Sequence, residues 1–227
     1  MSKGVIFDFN GTMFFDADKH VVSWKEFALA KFGVHISDDD FDKHIHGHNN
    51  KEILTYLTKK DFTKEEVFKL AEEKEKFYQR LCEKDEANLH LVNGLVPLLK
   101  ELKDRGIKMA IATASMKPNV DWYIKTFHLL NYFDVSHIIY DDGNLERGKP
   151  DPLIYEKAFL ALDIKPEDAL IFEDSLSGLK SALASKARYV VEISDARFPK
   201  SFKLPEIKYE LSDFTSLPAE IKDFLGL

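Results

Sequence analysis

Four polar features carry the side chains best suited to chemistry: Asp8 in Val5-Ile6-Phe7-Asp8-Phe9-Asn10-Gly11-Thr12, Thr113 in Thr113-Ala114-Ser115, Lys149 in Gly148-Lys149-Pro150-Asp151-Pro152, and the pair Glu173-Asp174. Asp8 follows an apolar run that reads as a buried parallel strand. A carboxylate of ordinary pKa, about 3.9, is ionised at neutral pH and can act as a nucleophile without a base to activate it. Thr113 and Glu173-Asp174 follow two later apolar runs, Ile107 to Ala112 and Ala169 to Phe172. Singly, each feature has a plainer reading: Asp8 and Asn10 suit a turn, Gly-Lys-Pro is ordinary turn sequence, and an acidic pair after a strand can cap the next helix. Their shared setting sets them apart, because ligands of open α/β sheets bind beyond the carboxyl ends of the strands.

The elements that must position these groups follow from hydrophobic spacing. Residues Asp16 to Asn88 are rich in lysine and glutamate and patterned as helices; Thr63-Lys64-Glu65-Glu66 has capping-box spacing, followed by Val67, Leu70, Ala71, Phe77, Tyr78 and Leu81 at helical intervals. Their charge runs read as solvated helix faces. From Leu89 onward helix and strand alternate: helices over Leu95–Arg105, stopped by Gly106, over Pro118–Phe127, after Asp151-Pro152 and over Leu176–Ser185, and strands at Ile107–Ala112, Ser136–Tyr140, Ala169–Phe172 and Arg188–Ile193. A closing helix is expected between Asp213 and Leu227, with Leu217, Ile221, Phe224 and Leu225 inward. The expectation is an α/β fold: a Rossmann-like parallel sheet core from residues 1–15 and 89–227, with an all-helical unit, 16–88, inserted after the first strand.

Composition narrows the function classes. A chain of 227 residues, 44% hydrophobic and 31% charged, can bury one sizeable core plus an inserted unit. A formal net charge of −7 argues against non-specific nucleic-acid or membrane-surface binding, which call for basic faces. No apolar run approaches the ~20 residues needed to cross a bilayer, and the N-terminus lacks a basic region followed by a long apolar segment, so a cytoplasmic enzyme, monomeric or dimeric, is expected. The single cysteine, Cys82, excludes an intramolecular disulfide and reads as a small helix residue.

In order and setting, the four features resemble the haloacid dehalogenase (HAD) superfamily, over nearly the whole chain and including the helical cap inserted after the first strand. Asp8-Phe9-Asn10-Gly11-Thr12 corresponds to the family's Asp-x-Asp-Gly-Thr, Thr113 to its strand-ending Ser/Thr, Lys149 to its lysine and Glu173-Asp174 to its acidic pair. Within the superfamily the sequence looks most like the beta-phosphoglucomutase-like phosphatases and mutases, supported by His20 and Trp24 at the cap entrance, His46-Gly47 in the cap, and Gly178 shortly after the acidic pair. The resemblance implies phosphoryl transfer from a small phosphorylated metabolite through Asp8 as nucleophile. Magnesium would be held by Asp8, Asp174, Glu173 and the main-chain carbonyl of Asn10. Lys149 would offset charge, and Thr113 with the amides near Ala114 would donate hydrogen bonds to the transferring group.

One position departs from the family. The residue two after the nucleophile is ordinarily an aspartate that protonates the departing alcohol; here it is Asn10, whose amide cannot exchange a proton in that role. Loss of a general acid commonly costs roughly 10²- to 10⁴-fold. Three readings follow: a slow or selective phosphatase with leaving groups that need little protonation, or with His20 as an alternative donor; a phosphate or sugar-phosphate binder without turnover; and a phosphonate hydrolase, for which Lys51 is the nearby Schiff-base candidate. Carbon–halogen cleavage, which needs no magnesium, ranks last because Glu173-Asp174 would repel Asp8 without a cation.

In the resembling proteins the cap loop selects the substrate, which assigns leaving-group recognition to His46, Asn49, Asn50 and Lys51; the plainer reading is a polar loop between helices. The alternation of His44, His46 and His48 could suggest zinc, but it lacks an accompanying Cys or carboxylate pattern, and its position favours the loop role. Trp24 and Phe27 read as packing of the helical unit. The two chain crossings, near Phe14-Phe15 and Leu89 to Gly94, are expected to let that unit close over the phosphate.

Overall fold

The computed structural model describes residues 3–45, 50–141, 147–198 and 202–227. These divide into two compact units, Met1–Phe15 with His90–Leu227, and Asp16–Leu89.

The first unit is built on a parallel sheet of six strands among the described residues: β1 (Gly4–Phe7), β2 (Lys108–Met116), β3 (Ile138–Asp141), β4 (Ala169–Glu173), β5 (Tyr189–Ile193) and β6 (Tyr209–Leu211), in the order β3-β2-β1-β4-β5-β6. The order reverses between β1 and β4, so the crevice at their carboxyl ends is the switch point at which this class of sheet binds ligands. All four residues of β1 are buried, as a central strand covered on both faces requires. Alternation divides its side chains. Ile6 joins Ala110, Ala112, Ile171, Ile154, Tyr155 and Ala158 in one core cluster, while Phe7 stacks on Phe172 at 5.3 Å and meets Phe214 edge-on at 6.0 Å. Fully burying each such side chain contributes roughly 1.5–3 kcal/mol.

The strand ends are therefore set by parity. Asp8 continues the face of Ile6, and Glu173 continues the face of Ala169 and Ile171. That is the face on which the helix at Leu153–Leu162 packs.

Several boundaries move. β2 runs on through Thr113-Ala114-Ser115 to Met116, which pairs with Asp141 after a register shift beyond Ala112. The helix after Asp151-Pro152 starts one residue later than expected: Pro152 is its cap position, and the Asp151 carboxylate accepts from Leu153 N at 3.0 Å. The expected closing helix is confined to Ala219–Leu225, in which Ile221 and Leu225 are buried and Phe224 is half-buried. β6 has no counterpart in the sequence reading, because three residues, Tyr-Glu-Leu, carry too little alternation to register as a strand.

The second unit contains four α-helices among its described residues, α1 (Ala17–Phe32), α2 (Asp38–His44), α3 (Asn50–Thr58) and α4 (Lys64–Lys84). Thr63 and Glu66 form the expected reciprocal cap at the start of α4. Trp24 and Phe27 sit in the unit's apolar cluster with Ala28, Phe41, Ile53 and Leu54. The reading of its charges as solvated faces fails at Lys74 and Glu75, which are 2% and 7% exposed. Lys74 Nζ donates to Glu75 at 3.1 Å and lies over the Trp24 ring at 5.4 Å, so pairing and an aromatic face offset the cost of burying its charge.

Candidate active site

Asp8, one residue past β1, is 6% exposed, and its backbone N–H donates to the carbonyl of Phe172 at 2.9 Å, tying it to β4. The Lys149 ammonium donates to Asp8 Oδ1 and to Glu173 Oε2, both at 2.6 Å. The Tyr155 hydroxyl, from the helix at Leu153–Leu162, donates to the same Glu173 oxygen at 2.5 Å. The other oxygen, Glu173 Oε1, accepts from Asp174 N at 2.9 Å, Ser175 N at 3.0 Å and Ser175 Oγ at 3.1 Å. Thr12 Oγ1 donates to Asp174 Oδ1 at 3.1 Å.

The electrostatics follow from burial and pairing. Burial alone would push the Lys149 ammonium down, but Asp8 and Glu173 outweigh it and hold the group well above the ordinary lysine value. Burial would likewise raise the Glu173 carboxyl, yet Lys149, together with hydrogen bonds from Tyr155 and Ser175, holds it below the ordinary glutamate value. Burial and then the charge of Glu173 push the Tyr155 phenol well above its usual range, so it is a standing donor at neutral pH.

One oxygen each from Asp8, Glu173 and Asp174 lies within 4.8 Å of the others. Three carboxylates against one ammonium leave an excess of negative charge, and all-oxygen donors suit a hard divalent cation such as magnesium. The turn makes room for them: Gly11 has φ +76°, and a Cβ there would sit 2.2 Å from Asp174 Oδ2. The residues fit a divalent metal.

Asn10 and Thr113 belong to the same unit. Thr113 is buried near the end of β2, and its Oγ1 accepts from Ser115 N at 3.1 Å; Ala114 is exposed on the same stretch. Asn10 Nδ2 donates to the Tyr123 hydroxyl at 2.8 Å, and Ser115 Oγ donates to Asn10 Oδ1 at 2.7 Å. Sequence reading missed Tyr155, Tyr123 and Ser115 as partners of these groups.

His20, Asn50 and Lys51 are in the helical unit. His20 lies in the first turn of α1, its Nε2 is 3.2 Å from Asp16 Oδ2, and its ring stacks on Tyr78 at 4.4 Å. Lys74 Nζ is 3.4 Å from His20 Nδ1. Asn50 and Lys51 open α3; Lys51 is exposed and, with His44, Glu52, Thr55 and Tyr56, lines an open hollow of ≈ 520 Å³. A Schiff-base lysine is activated by desolvation, which an exposed position does not supply. His46 and Asn49 lie outside the described residues.

A family model described as haloacid dehalogenase-like hydrolase matches residues 5–191. The beta-phosphoglucomutase of Bacillus subtilis is 30% identical over 200 residues, covering 86% of this chain and 84% of that protein. The phosphorylated carbohydrates phosphatase of Thermotoga maritima is 27% identical over 184 residues, covering 79% and 80%. Among solved structures, a HAD hydrolase, family IA, variant 3, from Entamoeba histolytica matches with a TM-score of 0.88 at 32% identity, covering 99% of this chain and 100% of that one.

Proposed function

We propose, proceeding from the fact that this chain belongs to the haloacid dehalogenase-like hydrolase family and is an enzyme of that type, that it is a magnesium-dependent phosphatase or phosphotransferase for a small phosphorylated sugar or related metabolite. The names of the Bacillus and Thermotoga relatives support the substrate class. The observation that carries the reading is Lys149 Nζ standing 2.6 Å from both Asp8 Oδ1 and Glu173 Oε2 at the switch point of the sheet.

In this reading Asp8 attacks phosphorus with one carboxylate oxygen. The bond from phosphorus to the leaving oxygen breaks, and the phosphoryl group rests on Asp8 until water or a second hydroxyl takes it. Lys149 orients Asp8 and offsets the charge of the incoming phosphate. Thr113 Oγ1, fixed as an acceptor by Ser115 N, turns its own hydrogen toward a phosphoryl oxygen. Magnesium, when bound by Asp8, Asp174, Glu173 and the carbonyl of Asn10, supplies charge neutralisation that brings two anions together. Asn10 supplies no proton, which favours leaving groups that depart as stable anions, acyl phosphates among them.

The test is magnesium-dependent phosphate release from acetyl phosphate, para-nitrophenyl phosphate and a panel of sugar phosphates. Turnover of activated substrates, abolished by Asp8→Asn and extended to alkyl phosphates by Asn10→Asp, supports the reading. Tight sugar-phosphate binding with no turnover of any substrate would replace it with a binding protein, the reading favoured by the engaged amide of Asn10.

A further inference from the structure

The side chain at the family's departure point is joined by hydrogen bonds to two hydroxyls that are also within reach of each other. Asn10 Nδ2 donates to the Tyr123 hydroxyl at 2.8 Å, Ser115 Oγ donates to Asn10 Oδ1 at 2.7 Å, and the Ser115 and Tyr123 hydroxyls are 3.3 Å apart. The direction of these bonds follows from the hydrogens available. Ser115 has a single hydrogen, and an amide oxygen can only accept, so that hydrogen goes to Asn10 Oδ1. Tyr123 oxygen accepts the amide N–H, and its phenolic hydrogen has Ser115 Oγ, 3.3 Å away, as an acceptor within reach. Within this set each of the three groups then gives one hydrogen bond and takes one.

The set stands on rigid supports. Tyr123 is 1% exposed and its ring stacks on Phe9 at 4.1 Å, the residue between Asp8 and Asn10. Ser115 is carried by β2, the strand paired with β1. A carboxylate at position 10 breaks the set, since it has no hydrogen for the Tyr123 oxygen. Both hydroxyls would then turn to donate to it, holding it as an acceptor when the leaving oxygen calls for a donor. Asn10 therefore belongs to an environment matched to an amide.

We propose that Tyr123, with Ser115, is a positioning residue that holds the Asn10 amide in one orientation and so fixes this enzyme's preference for leaving groups that depart without a proton. The link to leaving groups rests on the phosphatase reading; the positioning role does not. The experiment measures kcat/KM with magnesium for acetyl phosphate, aryl phosphates of graded leaving-group acidity and alkyl phosphates, in the wild type, Tyr123→Phe, Asn10→Asp and the double variant. It also follows the Asn10 side-chain NH₂ resonances in the wild type and in Tyr123→Phe.

The expected result is a small gain on alkyl phosphates for Asn10→Asp alone and a further gain of about tenfold for the double variant, part of what a general acid supplies. The dependence on leaving-group acidity becomes slightly shallower in Asn10→Asp and markedly shallower in the double variant, a change that simple loosening of the fold would not produce. The Asn10 NH₂ signals shift in Tyr123→Phe. Equal leaving-group slopes in the single and double Asp variants, or unmoved amide signals beside normal turnover, would overturn the positioning role alone. No turnover by any variant would overturn the phosphatase reading and the leaving-group link together. If Tyr123→Phe fails to fold, Ser115→Ala opens the same set at its half-buried side and is judged by the same outcomes.

Discussion

Tyr155 donates its phenolic hydrogen to Glu173 Oε2 at 2.5 Å, the oxygen that also accepts the Lys149 ammonium. The phenol thus fixes the carboxylate that, with Asp8, fixes the lysine. Tyr155→Phe keeps the ring and removes this donor. The expected cost is about 1.5–3 kcal/mol of stability, the range for a hydrogen bond to a charged group, measured by urea unfolding. The sign with pH follows from Glu173, whose carboxyl lies below its ordinary 4.5 in the fold. Its stabilising contribution is present above about pH 4.5 and is lost as pH falls through the depressed value. Losing Tyr155 brings the folded value back toward 4.5, so the variant should unfold at a higher pH on acidification. An unchanged acid midpoint would show that the phenol does not hold the charge.

Gly178 tests the same carboxylate sterically. It lies in the helix at Leu176–Ala184, and a Cβ there would sit 1.9 Å from Glu173 Oε2. In an ordinary helix Gly→Ala gains up to about 1 kcal/mol. Here Glu173 is held by five donors and cannot swing aside cheaply. Gly178→Ala is therefore expected to destabilise by about 1–3 kcal/mol, the usual cost of overpacking, and to lower kcat by displacing Glu173 from Lys149. A stabilised variant of full activity would mean that the carboxylate relocates freely.

What the sequence discloses depends on whether a residue's role is set along the chain or across it. The runs before Asp8, Thr113 and Glu173 are consecutive and apolar, so the strands and the polar groups near their ends are legible, as is the capping box at Thr63. Tyr155 reads as one more aromatic on an apolar helix, because its partner is eighteen residues away on another element. Strand parity held the missing signal: Glu173 shares the face of Ala169 and Ile171, which packs against that helix. Tyr123 gave no such signal, since Asn10 lies beyond the end of β1 where alternation no longer governs direction. Lys74 and Glu75 were hidden by composition, standing on a helix, α4, most of whose charged residues are exposed.

Cys82 should be inert in the folded chain. It is 1% exposed, and burial, followed by the charge of Asp16, pushes its thiol from 9.0 up to about 12. At pH 8 that shift lowers the thiolate fraction by about 10³-fold. Reaction with a thiol-specific reagent should be at least that much slower in the native protein than in denaturant. The raised value also gives stability that is intact below about pH 9 and declines as pH rises toward about 12. Fast labelling at pH 8 without unfolding would show that α4 opens locally.

The carboxylate cluster predicts opposite effects of one substitution with and without a cation. Asp174 places an oxygen within 4.8 Å of oxygens of Asp8 and Glu173, and Lys149 is the ammonium paired with both of those residues. Without a divalent ion, Asp174→Asn removes one of three mutually repelling charges while keeping an oxygen that can accept from Thr12 Oγ1. Its Tm in chelator should equal or exceed that of the wild type. With magnesium at a hundredfold excess over Kd, the wild type should gain about 2.7 kcal/mol, or roughly 5–10 °C in Tm for a chain of this size. The variant should gain little, reversing the order of the two proteins. Equal magnesium-induced shifts would mean that the cation binds elsewhere, and the assignment of Asp174 as a ligand would fall with it.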